Sequence, residues 1–350
     1  MLPSNITFSV TNRCNSHCRT CFIWDSSHRR PEWKQKEFEV PEFAKAFQGL
    51  GRNVVWVTLS GGEPFLRKDL PQICEAAETY CNPKVINIPT NCLLPTTIRE
   101  GAKNIMQLCE KTDFVINLSL DGVREKHDEI RGVPGNFKKF LETYSYLSEL
   151  KNEFPNLSVG VHSVVSKFSL EGLKDVYNFV KTLNPDSYIT EVAERRTELF
   201  NKDKDITPSP ADYAKFINSL SKSVRQDYLK KKTKLLSRVT QAFRLTYYQI
   251  AAQNLAYDRQ TIPCYAGITS CQITPYGDVW PCCILGYDMP MGNLRDANYD
   301  FRKVWYSPEA QRIRRYISDK KCACPLANAH YTNILCNPTA LLRVSYNLIS

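Results

Sequence analysis

The chain contains no run of about 18 or more apolar residues, so no helix is expected to span a membrane. Its first residues, Met1 to Thr11, lack a basic segment followed by a long apolar stretch, which excludes a typical secretory signal and makes the cytoplasm the expected compartment. No internal repeat or low-complexity segment is present, and no nucleic-acid-binding motif accompanies the net charge of +10, so nucleic acid ranks last among partners. The remaining composition, 43% hydrophobic and 23% charged over 350 residues, is that of a globular protein with one large domain and a smaller one.

Cysteine, by contrast, is abundant, at fourteen. Without export, thiols serve as metal ligands, catalytic groups or buried apolar side chains rather than disulfides. Cys14, Cys18 and Cys21 share one short loop, and Cys264, Cys271, Cys282, Cys283, Cys322, Cys324 and Cys336 crowd the last quarter. Cys74, Cys81, Cys92 and Cys109 fall in helix-like or strand-end segments and read as packing.

Strands are expected at Ile6–Thr11, Val54–Leu59, Val85–Ile88, Phe114–Leu120, Leu157–Val165 and Tyr188–Val192. Between them, Val40–Leu50, Leu70–Tyr80, Thr97–Lys111, Asn136–Phe154 and Leu170–Leu183 carry apolar residues at helical spacing. Six strand–helix units in succession imply an α/β fold, a partial (β/α)6 barrel of the TIM type, with its chemistry at the C-terminal strand ends. Residues 1–195 form this core. From Asn201 to Pro210 the chain is polar, and Ala211–Tyr257, free of proline and glycine, reads as a helical insertion completing a segment from 196 to 260. There Leu236, Val239, Phe243, Tyr247 and Ile250 mark an amphipathic helix preceded by Lys230, Lys231, Lys232 and Lys234, expected to pack on the barrel with a solvated basic face or to meet an anionic substrate or a membrane surface peripherally. Residues 261–350 form a small cysteine-rich domain.

Three thiolates with three and two residues between them can hold three corners of an iron–sulfur cubane and leave one iron open. A zinc site short of a fourth ligand is the alternative, and His17, flanked by the triad, is expected to point away. Cys14, Cys18, Cys21 and the following Phe22 resemble the signature of the radical SAM superfamily. Ser60-Gly61-Gly62-Glu63-Pro64 after the second strand resembles its Gly-Gly-Glu segment, where small residues admit the ammonium of S-adenosylmethionine. Thr90-Asn91-Cys92 resembles its Thr-Asn-Gly, with Cys92 in place of glycine. Ser119, Asp121 and Arg131 match the stretch that holds the ribose and the methionine carboxylate, although Asp121 and Arg131 also suit a turn and an ion pair.

Further on, Cys264-Tyr265-Ala266-Gly267, then Gln272 to Cys282 with a turn at Pro275–Asp278, then Met291-Gly292-Asn293-Leu294, resemble the SPASM extension or its shorter relative, the twitch domain. That resemblance implies a second [4Fe-4S] cluster on Cys264, Cys282, Cys322 and Cys324. The same four thiolates would also suit zinc, and Cys271, Cys283 or Cys336 could replace an assigned ligand, with Cys336 expected to be a buried thiol.

The resemblance implies an enzyme of the oxidoreductase or transferase class that reductively cleaves S-adenosylmethionine and abstracts hydrogen from a substrate. It implies an external one-electron reductant of the flavodoxin or ferredoxin type. The expected substrate is a small metabolite such as a sugar or aminocyclitol, because the resemblance associates a single auxiliary cluster with enzymes of that type; the triad-bearing strand, starting within about five residues of the first, is expected to disfavour a peptide mildly. A ribosomally made peptide and a lipid or isoprenoid are the alternatives, and a non-catalytic iron–sulfur or zinc protein is the contrasting class. Glu191, Glu194, Arg195 and Arg196 follow the sixth strand, where they would be either salt-bridged scaffold or substrate contacts.

Overall fold

The computed structural model describes residues 1–26, 37–229 and 235–349. Six strands run parallel in chain order: β1 (Asn5–Thr11), β2 (Trp56–Gly61), β3 (Val85–Thr90), β4 (Asp113–Ser119), β5 (Leu157–Val165) and β6 (Ser187–Val192). The connections carry α1 (Val40–Leu50), α2 (Leu70–Cys81), α3 (Pro95–Leu108), α4 (Glu125–Arg131), α5 (Asn136–Leu150) and α6 (Leu173–Leu183). Local chemistry sets the boundaries. Helix α1 opens on a reciprocal cap between Glu39 and Glu42 with Pro41 in its first turn, and α2 and α6 end on left-handed Asn82 and Asn184.

This is the partial barrel that the sequence implies. Alternate residues of β1 face outward, where Phe8 meets the rings of Phe43 and Phe47 at 5.0 and 5.3 Å. All three are fully buried, each contributing on the order of 2–3 kcal/mol of apolar burial.

After β6 come α7 (Pro210–Val224), a π-helical turn at Arg225–Leu229, and α8 (Leu235–Tyr257). Ser209 caps α7 by accepting from the backbone N–H of Asp212. Helix α8 corrects the amphipathic expectation. Ala242, Leu245, Tyr247, Tyr248, Ile250 and Ala251 are buried, but so are Gln241, Arg244, Thr246 and Asn254. The reason is its position on the open edge of the sheet. Tyr248 Oη accepts from the Thr190 backbone N–H at 3.3 Å, and Arg244 Nη1 donates to the Tyr188 carbonyl at 2.9 Å, so side chains satisfy edge groups that no further strand pairs. The four lysines at 230, 231, 232 and 234 lie outside the described residues. No helix of the described residues is long and apolar enough to cross a membrane.

On the other edge, β7 (Ser270–Ile273) pairs in parallel with β1, and β8 (Asp278–Trp280) and β9 (Gly292–Asn293) follow antiparallel. Four helices complete the chain: α9 (Phe301–Trp305), α10 (Pro308–Ser318), α11 (Ala327–Leu335) and α12 (Pro338–Ile349). Cys336 is exposed at the C-terminal end of α11, not buried as expected; Ile334 occupies the inward position and the next turn carries Leu335 and Cys336 outward.

Candidate active site

At the C-terminal mouth of the barrel lies a cavity of about 190 Å³, lined by Cys14, Cys18 and Cys21 from the loop after β1. Ser60 to Glu63 from the end of β2, Thr90 and Asn91 from β3, Ser119 from β4, and Arg131 from α4 complete that side. The two glycines permit this closeness. A Cβ at Gly61 would stand 2.2 Å from the Thr11 carbonyl, and one at Gly62 would stand 2.1 Å from that of Arg13, so β2 passes against the cysteine loop only without side chains. Gly61 also has φ +113.

Glu63 is buried, and its carboxylate accepts from the backbone N–H of Asn91 (2.7 Å) and of Phe65 (3.2 Å) and from Thr90 Oγ1 (3.0 Å). Burial nonetheless pushes its pKa up to about 7, with those hydrogen bonds and Arg131 opposing. Asn91 Nδ2 donates to Asn15 Oδ1 at 2.7 Å and lies 3.8 Å from Cys14 Sγ. Cys92, where the resembled motif has glycine, is buried with φ +66, the left-handed backbone that glycine adopts without cost.

Arg131 donates to Asp121 Oδ2 at 3.1 Å, and Asp121 Oδ1 accepts from the Val164 N–H at 2.7 Å. The pair is nearly buried, not a surface ion pair. Burial opposes the guanidinium charge, but Cys18 and Asp121 hold its pKa above the ordinary value. Arg131 Nε has no hydrogen-bond partner among the described residues, a buried donor suited to a carboxylate. Helix α4 also fixes the cysteine loop: the Arg131 carbonyl accepts from the His17 N–H (3.1 Å) and from Ser16 Oγ (3.0 Å). His17 turns its ring edge-on to Trp24 at 4.8 Å. Phe22 anchors the end of the loop by donating its N–H to the Leu199 carbonyl at 2.9 Å.

Cys264, Cys282, Cys322 and Cys324 line one small cavity with Gln260, Asn254 and His330. Gln260 Nε2 donates to the Cys322 carbonyl (2.9 Å) and lies 3.8 Å from its sulfur, while Asn254 Nδ2 donates to the Cys324 carbonyl (2.9 Å). Cys271, Cys283 and Cys336 do not line it; Cys271 and Cys283 are buried, as are Cys74, Cys81, Cys92 and Cys109. Burial pushes the Cys14 and Cys322 thiols up to about 11 and Cys282 to about 12, with Arg131 opposing at Cys14. Soft, desolvated sulfur of this kind fits iron–sulfur ligation. Among the described residues no three Cys, His, Asp or Glu side chains stand close enough to hold one metal ion, so each set is spread around its cavity.

Residues 8–180 match the model of the radical SAM superfamily, and residues 264–325 match that of an iron–sulfur cluster-binding domain, SPASM. The chain belongs to the radical SAM superfamily. Among its relatives is an AdoMet-dependent heme synthase of Methanosarcina barkeri, 27% identical over 337 residues, covering 92% of this chain and 87% of the relative. Another is the antilisterial bacteriocin subtilosin biosynthesis protein AlbA of Bacillus subtilis, 22% identical over 331 residues, covering 92% of this chain and 65% of AlbA. The solved structure of anSMEcpe with bound AdoMet shares the fold at a TM-score of 0.65, with 17% identity over 99% of this chain and 93% of that one. This radical SAM enzyme therefore uses S-adenosylmethionine, a [4Fe-4S] cluster that binds it, and an auxiliary cluster.

The far wall of the radical SAM cavity comes from β5, β6 and the loop after them: His162, Glu191, Glu194 and Arg196. Arg195 is exposed and faces away from this wall. Arg196 Nη1 reaches Cys283 Sγ at 3.0 Å and Glu198 Oε2 at 3.6 Å, contacts that sequence reasoning did not anticipate. His162 was also missed, although its place near the end of β5 was a usable signal.

Proposed function

We propose that this radical SAM enzyme modifies a ribosomally made peptide. On this reading Cys14, Cys18 and Cys21 hold the S-adenosylmethionine-binding cluster, and Cys264, Cys282, Cys322 and Cys324 hold the auxiliary one. Glu63 and Asn91 receive the methionine ammonium between Gly61 and Gly62, Ser119 and Asp121 serve the ribose side, and the free Nε of Arg131 receives the carboxylate. When bound, the first cluster supplies the electron that cleaves S-adenosylmethionine, which makes hydrogen abstraction from an unactivated carbon possible. The protein's part is orientation and exclusion of water. A flavodoxin- or ferredoxin-type reductant supplies electrons in the cytoplasm, and the net reaction is an oxidation of the substrate. The radical SAM core comprises residues 1–195, the helical insertion 196–260 and the auxiliary domain 261–350.

The observation that carries the peptide reading is the similarity to AlbA, which covers 92% of this chain. The sugar or aminocyclitol expectation finds less support among these relatives. A second reading, action on a haem precursor, is favoured by the mutual coverage with the heme synthase. The cavity argues against it, because Glu191 and Glu194 would face the carboxylates that such precursors carry. The test is an anaerobic incubation of reduced enzyme and S-adenosylmethionine with a displayed peptide library or with Fe-coproporphyrin III. 5′-Deoxyadenosine above the substrate-free rate, with a mass change on peptide, supports the reading. Stimulation and decarboxylation confined to the porphyrin would overturn it.

A further inference from the structure

The cavity wall at the end of β6 holds carboxyl groups that the protein itself does not fully hydrogen-bond. Arg131 and Arg196 are the arginines that line the cavity; Asp121 engages the first, and Glu198 and Cys283 the second, while the Nε of each is buried without a partner among the described residues. Glu63 faces the triad side. Glu191 and Glu194 remain, two carboxyl groups three residues apart at a barrel strand end. Glu194 is only 7% exposed, and its Oε1 has no hydrogen-bond partner among the described residues. Beside Glu191 stands His162, whose Nε2 lies 3.8 Å from Oε1, too long for a hydrogen bond, and is itself buried without a partner. Thr190 Oγ1 and Tyr213 Oη nearby are likewise buried and unpaired.

A desolvated carboxylate with no donor costs several kcal/mol, and folded proteins keep such groups chiefly where a ligand completes them. Neither arginine donates to Glu191 or Glu194, and what completes these two acceptors is a cation carrying N–H donors. Burial pushes Glu194 up to about 8, with Arg196 opposing and Glu191 adding to the rise.

We propose that Glu191 and Glu194 form a substrate subsite for a protonated amine or guanidinium. On the peptide reading, on which this rests, the group is the side chain of a lysine or arginine near the modified residue. Glu194 supplies the buried acceptor and Glu191 the half-exposed one at the entrance. The subsite fixes which segment of the peptide lies over the cavity, and it is a binding device rather than a proton-transfer one.

The test uses reconstituted enzyme with S-adenosylmethionine bound and three blocked tripeptides: acetyl-Gly-Lys-Gly-amide and its norleucine and glutamate counterparts. Dissociation constants are read by ligand-observed NMR, with n-butylammonium as a fourth probe. The lysine peptide should bind about tenfold tighter than the norleucine peptide, the worth of one charge-assisted hydrogen-bonded contact, and the glutamate peptide more weakly than both. E194Q and E191Q should each erase most of the preference while S-adenosylmethionine affinity stays within twofold. If E194Q does not fold, E191Q alone decides, because Glu191 is partly exposed. Equal binding of all three peptides would leave the peptide reading standing and overturn the subsite. Butylammonium binding as tightly as the lysine peptide, with both lost in E191Q, would support the subsite and count against the peptide. A lysine preference that survives both substitutions refutes the assignment of these residues.

Discussion

Gly132 and Gly135 both adopt left-handed backbone, with φ +66 and +79, but only one of them touches anything. A Cβ at Gly135 would meet open space. At Gly132 it would stand 2.2 Å from the His17 carbonyl oxygen, inside the Cys14–Cys21 loop, and would have to retreat by about 0.8 Å to reach the 3.0 Å that real contacts respect. Alanine in this conformation costs about 1–2 kcal/mol at either site. At Gly132 the displacement also strains the bonds that tie the loop to α4: His17 N–H and Ser16 Oγ to the Arg131 carbonyl, and Arg19 N–H to the Ile130 carbonyl. Losing two or three of these adds roughly 2–3 kcal/mol. Gly135→Ala should therefore lower stability by about 1–2 kcal/mol and leave cluster content intact. Gly132→Ala should lose the first cluster, so that iron per chain falls from about eight atoms to about four and no 5′-deoxyadenosine forms. Iron analysis and anaerobic cleavage assays on both variants provide the comparison. If Gly132→Ala retains full iron and full cleavage, α4 does not position the loop.

Replacing Cys14, Cys18 and Cys21 together by alanine should remove about half of the iron; retention of all of it would show that the triad holds none, and zinc instead of iron in the C-terminal set would end its electron-transfer role. Arg131→Ala should weaken S-adenosylmethionine binding by about 1.5–3 kcal/mol, measured by equilibrium dialysis, since its Nε is the free buried donor beside the triad. His127 is buried, and its Nδ1 accepts from the Asp121 N–H at 3.1 Å. Burial and Arg131 lower its pKa from 6.5 to about 4, so the unfolded chain takes up a proton between these values and the native chain does not. Stability should fall by up to about 3 kcal/mol as the pH drops from 6.5 to 4, and urea titrations of His127→Gln should show a shallower loss.

The barrel was legible because each of its first six strands is a short β-branched or apolar run bounded by turn residues, and Leu157–Val165 holds to the residue. Helix α4 was not, since seven residues are too few to show a period, yet it supplies Arg131 and the bonds that hold the cysteine loop. The burial of polar as well as apolar residues along α8 was invisible for another reason. Period shows that a helix has an apolar stripe; it does not show that a sheet edge will also draw in Arg244 and Tyr248. The cavity shared by Cys264, Cys282, Cys322 and Cys324 could be anticipated from the resemblance to the SPASM extension, whereas Arg196 and Cys283 lie 87 positions apart and no local pattern links them.

That long-range contact belongs to a segment that links the loop of the N-terminal triad to the neighbourhood of the C-terminal cysteine set. Asn201, fully buried, donates from Nδ2 to the Thr20 carbonyl in the triad loop at 2.7 Å and to the Glu194 carbonyl at 3.2 Å, while its Oδ1 accepts from the Arg196 N–H at 2.7 Å. One amide thus holds the loop after β6 against the loop after β1. Arg196 then reaches Cys283, the neighbour of Cys282, and Glu198 is bonded by Gln272 of β7, whose Nε2 also donates to Ser9 of β1 at 3.0 Å. The radical SAM triad, the auxiliary set and the two strands between them are therefore joined through nine residues, 193 to 201. Those same residues carry Glu194 in the cavity wall. A substrate held at Glu194 would lie against a segment that contacts both cysteine-bearing regions, so a single piece of buried, hydrogen-bonded chain would set its place relative to either cluster.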